Sequence, residues 1–202
     1  MQAVENETLI LYHTDLSDRW PEEAARRLAG ALPYARRLAL RGPSERVRAS
    51  LAGIALALRS LAHAAAVPVA ARELCFPSGG KPRLAAGSEA HAAGCDFSIA
   101  HSGHLVGCAA VARGAVGFDL ELGDTARLRT WVRREAALKA AGLPLARLRE
   151  VQLLSGGARC GGRRWHARPL ACLPGASACS MTSFAPRHLE ARHVSLEELF
   201  AA

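Results

Sequence analysis

The sequence predicts an α+β protein made of two halves of similar size. Length is the first observation: 202 residues, half of them apolar and 22% charged, suffice for a real core. Element order is the second, since helical and strand periodicities mix in the first half and β signals dominate the last third. Continuity is the third, because no repeat, low-complexity run or long linker interrupts the chain. The halves meet near Arg113 to Val116, which predicts units at residues 1–114 and 115–202.

Thr8 to His13 reads as a first strand, and Asp18 to Leu32 as a helix with Pro21 near its first position and Glu22 and Glu23 in its first turn. The basic segment Tyr34 to Arg41 ends at Gly42-Pro43. Ser44 then caps the longest helix of this half, with Val47, Leu51, Ile54, Leu58 and Leu61 at helical spacing and Arg46, Arg48 and Arg59 on the opposite face. Those arginines read first as a solvated face, with phosphate contact as the sharper alternative.

Phe76 to Arg83 is a loop in which Lys81 stands beside Gly79-Gly80; glycines let a backbone approach a ligand closely. Asp96 to Ser102 forms a short strand ending in His101-Ser102, with no partner set for a nucleophilic triad. Leu105–Val111 and Ala115–Leu122 follow as strands joined by a turn at Arg113-Gly114. A helix after Asp124 runs to Ala141 and stops at Gly142, with Pro144 beyond. Between Val151 and Phe184, β signals and glycine pairs predict a meander of two or three antiparallel strands. Ser195 caps a last helical turn ending at Phe200.

Charge and cysteine usage narrow the classes. A net charge of +8 and a pI near 9.8 point to an acidic or phosphate-rich partner. Nucleic acid is disfavoured, because the three Trp and two Tyr are scattered and the arginines are spread along the chain. The six cysteines include no Cys-x-x-Cys pair and no zinc spacing, and no secretion signal opens the chain, so reduced thiols in a cytoplasm are expected. The longest apolar run, Leu51 to Val67, is broken by Arg59 and His63 and is too short to span a membrane.

One stretch carries more chemistry than packing needs. Asp119 and Glu121, two apart on a strand, leave the same face, while Glu135 and Lys139, four apart on a helix, share another. Taken alone, Glu135 and Lys139 are an exposed helix pair worth a few tenths of a kcal/mol. Behind Gly117-Phe-Asp-Leu-Glu121 they read differently: with that helix across the strand end, three carboxylates converge beside a lysine. Carboxylates so close repel unless a cation sits among them. Mg²⁺, which pairs carboxylates with phosphate oxygens, suits that arrangement.

In this order, Gly80-Lys81-Pro82, Phe97-Ser-Ile-Ala-His-Ser102, Gly117-Phe-Asp-Leu-Glu121 and Trp131-Val-Arg-Arg-Glu-Ala-Ala-Leu-Lys139 resemble the 4′-phosphopantetheinyl transferases of the surfactin-synthetase-activating type. The resemblance covers most of the chain. It implies a pseudo-two-fold monomer of α+β subdomains, with the metal site in the C-terminal one and coenzyme A between them. It implies transfer of the phosphopantetheine arm to a serine of an acyl or peptidyl carrier protein, with release of 3′,5′-ADP. By position, Asp119, Glu121 and Glu135 would hold Mg²⁺, and Glu135 would also serve as base. Lys139 and His101 would meet coenzyme A phosphates, Lys81 and Pro82 would lie near the nucleotide, and Arg48, with Arg41 or Arg46 as alternatives, would meet the 3′-phosphate.

The chain departs from the family in having Ser98 where Asn is usual, Ala100 where Ser is usual and Arg134 where Lys is usual. Nine residues between Glu121 and Trp131 replace some tens. Two other readings stay open: a coenzyme A-binding relative without transfer, and a basic nucleic-acid-binding protein.

Overall fold

The computed structural model describes residues 8–33, 36, 44–78 and 80–201. Arg41, Gly79, Gly42-Pro43 and, apart from Arg36, the basic segment before them lie outside the described residues. In chain order the elements are β1 (Thr8–Asp15), α1 (Glu22–Ala31), α2 (Glu45–Ala65), β2 (Leu74–Cys75), β3 (Arg83–Leu84), α3 (Glu89–Ala92), β4 (Asp96–Ser102), β5 (Leu105–Val111), β6 (Val116–Leu122), α4 (Ala126–Ala141), β7 (Gln152–Leu154), β8 (Gly157–Cys160), β9 (Arg163–Pro169), β10 (Ala176–Thr182), β11 (His188–His193) and α5 (Leu196–Phe200). The class is α+β, as expected. No helix among the described residues is long and apolar enough to cross a membrane.

Strand alternation sorts the core into layers. One face of the first sheet, ordered β11-β1-β5-β4, turns Ile10, Tyr12, Phe97 and Cys108 toward Ile54 and Leu61 of α2. Its other face sends Leu9, Leu11, Ala109 and Val111 against Val116, Phe118 and Leu120 of the second sheet, ordered β6-β10-β9-β8-β7. α4 covers the far side of that second sheet, setting Val132, Ala136 and Leu138 on Trp165, Cys179 and Met181. The layering is therefore helix, sheet, sheet, helix. Each fully buried Leu or Phe of these layers contributes about 2 kcal/mol by area.

The two sheets share one local order. β1, α2, β4 and β5 place the last strand between the other two, and β6, α4, β9 and β10 do the same. β5 and β6 are not a hairpin, although a turn at Arg113-Gly114 suggested one: the chain changes sheet there. Four antiparallel strands, not two or three, form the later meander of β7 to β10. The unexpected element is β11, which returns to pair in parallel with β1 at the edge of the first sheet. α1 is also shorter than predicted, starting at Glu22 with Pro21 at the cap position and no side-chain cap bond. The caps read from sequence do form, with Ser44 Oγ accepting from Val47 N at 3.3 Å and Ser195 closing a capping box with Glu198.

β4 and β6 are edge strands of different sheets, and side chains join them where a backbone ladder would otherwise run. Val116 N donates to Asp96 Oδ2 at 2.8 Å, Ser98 Oγ donates to the Phe118 carbonyl at 3.4 Å, and Leu122 N donates to Ser102 Oγ at 3.2 Å. Unpaired strand edges are costly when buried, and these three bonds satisfy part of both. The candidate site sits on this seam.

Candidate functional site

β6 buries Val116, Phe118 and Leu120 in the central layer, so Gly117, Asp119 and Glu121 face α4. Gly117 is what lets the helix lie against the strand. A Cβ there would stand 2.0 Å from the Ala136 carbonyl oxygen and 2.3 Å from Ala140 N, both backbone atoms of α4. The helix is fixed at both ends: Thr125 Oγ1 accepts from Leu128 N at 3.2 Å, and Gly142 takes the left-handed conformation at φ 67°. The short connection before Trp131 is thus mostly helix, with only Gly123-Asp124-Thr125 as loop.

Asp119, Glu135 and Lys139 do come together. Lys139 Nζ lies 2.8 Å from Asp119 Oδ1 and 3.4 Å from Glu135 Oε1. Asp119 is buried, and its Oδ2 has no hydrogen-bond partner. Burial pushes its carboxyl up to about 7, with Glu135 and Glu121 adding to the rise and Lys139 opposing it. Glu121 stands slightly apart, its Oε2 accepting from Ser102 Oγ at 2.7 Å. His101, near the end of β4, is held below the usual imidazole value by partial burial first, then by Lys139 and Arg46, while Glu121 works against them. That places His101 within the field of both the Lys139 cluster and the start of α2.

A cavity of about 280 Å³ opens beside this cluster, walled by Gly80, Lys81, Pro82, Ile99, Glu135 and Lys139 and closed by residues 142–145. This is near the small end for ligand sites. Larger apolar cavities lie elsewhere, at about 350 Å³ beside the start of α4 and about 600 Å³ among α1, α2 and α5. Lys81 lines the site, but its ammonium is committed: it donates to Asp96 Oδ2 at 2.6 Å and to the Val116 carbonyl at 2.7 Å. Its observed role is to clamp the seam. Arg48 lies in a separate cleft of about 350 Å³ with Ser17, Gly103 and His104. It pairs there with Glu22 at 3.6 Å and stacks over Trp20. Of the two described arginines considered for a phosphate, Arg46 is the one whose charge reaches His101.

Sequence reasoning did not single out Ser102 or Asp96 for these roles. Ser102 orients Glu121, and Asp96 holds Lys81 and the backbone of β6. Their signal was the set of polar residues at 96, 98 and 102, all on one side of a strand that also carries Phe97, Ile99 and Ala100.

Among the described residues, no three His, Cys, Asp or Glu side chains stand converged as a ligand set. The contacts explain this: Glu121 is drawn to Ser102, and Lys139 stands between the other two acids. The donors nonetheless suit a hard divalent cation. They are all carboxyl oxygens, one of them is buried without a partner, and Glu135 and Glu121 both act electrostatically on Asp119. The arrangement can hold a divalent ion, place an ammonium on a phosphate and take up a proton at Glu135. Compared with protein-family models and with curated proteins, the chain matches none.

Proposed function

We propose that this chain is a Mg²⁺-dependent 4′-phosphopantetheinyl transferase that moves the phosphopantetheine arm of coenzyme A to a serine of an acyl or peptidyl carrier protein. The observation that carries the reading is the meeting of Asp119, Glu135 and Lys139 beside the Gly80-Lys81-Pro82 loop, at the seam of two sheets. We read the twice-used strand–helix–strand–strand order as the pseudo-two-fold of that family, with coenzyme A lying along the seam.

Mg²⁺ held by Asp119, Glu121 and Glu135 would neutralise diphosphate oxygens, which phosphoryl-type transfer needs more than an elaborate nucleophile. Lys139 lines the cavity and offers its ammonium to the same diphosphate. Partial burial holds the His101 imidazole below its usual value, and the ring would donate one hydrogen bond to a phosphate oxygen. Glu135 accepts the serine proton, directly or through water. The serine oxygen bonds to the phosphorus on the pantetheine side, the bond to the bridging oxygen breaks, and 3′,5′-ADP carries off the electron pair.

Charge distribution supports an acidic acceptor. Residues 126–168 contain eleven Lys or Arg against two Glu, a net +9 in a chain whose total is +8. Such a field raises encounter rates with acidic proteins.

The three-residue loop before α4 favours a second reading, a coenzyme A-binding relative that does not transfer. Incubation with coenzyme A, Mg²⁺ and several apo carrier proteins separates the two. Acceptor-dependent release of 3′,5′-ADP, abolished by EDTA and by Asp119→Ala, supports transfer. Coenzyme A binding without release supports the second reading. Salt-sensitive nucleic-acid binding with no coenzyme A affinity overturns both.

A further inference from the structure

Lys139 Nζ occupies the point between Asp119 Oδ1 and Glu135 Oε1 that a bridging cation needs. Asp119 has little freedom, and the backbone that carries Glu135 is fixed. Asp119 sits mid-strand, opposite Cys179 of β10, and Glu135 rides a helix held against Gly117. Lys139 differs from Asp119 in exposure and from Glu135 in reach. Its side chain is about one-fifth exposed, like that of Glu135, both line the adjoining cavity, and its longer four-carbon stem lets the ammonium swing. The ammonium also leaves the site incompletely satisfied, since Asp119 Oδ2 stays buried and unpartnered. A divalent ion entering beside an ammonium only a few ångströms away meets strong repulsion in so dry a place.

Resting on the transferase reading, we propose that Lys139 is a displaceable internal counter-ion that makes metal entry conditional on substrate. In the metal-free protein it holds Asp119 and Glu135 together; when a diphosphate fills the cavity, the ammonium turns to it and frees both carboxylates for the metal. Coenzyme A and metal then favour each other's binding by the same factor, as linkage requires. Free metal alone is kept out.

The test is Mn²⁺ binding to the full chain, read as loss of the free-ion electron paramagnetic resonance signal. Without coenzyme A, Lys139→Met and Lys139→Gln bind Mn²⁺ roughly tenfold or more tightly than the unaltered protein, because no competing state is left. Adding coenzyme A tightens Mn²⁺ binding to the unaltered protein by a larger factor than to the variants, which keep only the metal's own contact with the diphosphate, after subtraction of a protein-free titration. Equal Mn²⁺ affinity in all three proteins without coenzyme A overturns the proposal and leaves the metal site standing. So does a coupling of less than about threefold in the unaltered protein, which needs no variant to fold. If the unaltered protein unfolds cooperatively yet binds no Mn²⁺ even with coenzyme A, the metal reading itself fails.

Discussion

Replacing Gly117 by Ala puts the close contact of strand and helix to direct trial. The added methyl carbon would stand 2.0 Å from the Ala136 carbonyl oxygen and 2.3 Å from Ala140 N. Ordinary contact there begins near 3.4 Å. Neither atom belongs to a flexible side chain, so relief requires α4 to move outward by an ångström or more. Overpacking of this kind costs about 1–3 kcal/mol, with the larger end expected where backbone must shift. The same displacement carries Glu135 and Lys139 off Asp119, now at 2.8 Å from Lys139. A misplacement of about 1 Å costs on the order of a hundredfold in catalysis. Urea denaturation measures the first effect, and the rate of 3′,5′-ADP release, with Mn²⁺ affinity beside it, the second. Gly30→Ala is the control: its Cβ meets nothing within 4 Å, and Ala for Gly inside a helix stabilises by about 0.5–1 kcal/mol. Gly117→Ala with the unaltered protein's urea midpoint and metal affinity would refute the packing argument.

Three further outcomes follow from the same contacts. Asp119, whose carboxyl in the fold titrates at about 7 against 3.8 ordinarily, binds more protons folded than unfolded between those values; its contribution is therefore complete below the lower one and lost as pH rises through the upper. In EDTA, stability should fall by about 3 kcal/mol between about pH 4.5 and 7.5, flattened in Asp119→Asn; equal slopes in both proteins count against it. Lys81→Met leaves Asp96 uncompensated at the seam and should cost about 3–5 kcal/mol by urea denaturation, with Lys81→Met/Asp96→Asn less damaged than the sum; strict additivity contradicts a direct pair. Raising salt from about 50 to about 500 mM should raise KM for the acidic acceptor while kcat changes little; a KM indifferent to salt removes the steering role given to residues 126–168.

Legibility in the sequence tracked how strongly each element repeats its pattern. Ser44 with Val47, Leu51 and Ile54, and Phe118 and Leu120 alternating with Asp119 and Glu121, declare helix and strand because one face of each must be buried. Their registers also told which side chains share a face; that Asp119 meets Lys139 further required α4 to cross β6, which Gly117 permits. β11 was not readable. His188-Leu-Glu-Ala-Arg-His193 is a largely exposed edge strand held by backbone pairing to β1, which leaves almost no hydrophobic signature. The partner of Lys81 was hidden for another reason: Gly-Gly-Lys-Pro describes a loop, but its ammonium pairs with Asp96, fifteen residues away. Long-range ion pairs of that kind have no periodicity to betray them. The same holds for Glu121, drawn aside by Ser102 across the seam.

Intact-mass spectrometry of apo acyl and peptidyl carrier proteins, after incubation with this protein, coenzyme A and Mg²⁺, tests the central claim most directly. The account predicts a gain of one phosphopantetheine on at least one acceptor, absent with EDTA, with Asp119→Ala and when the acceptor serine is Ala. Coenzyme A bound at the Lys139 cluster with every acceptor mass unchanged would contradict it.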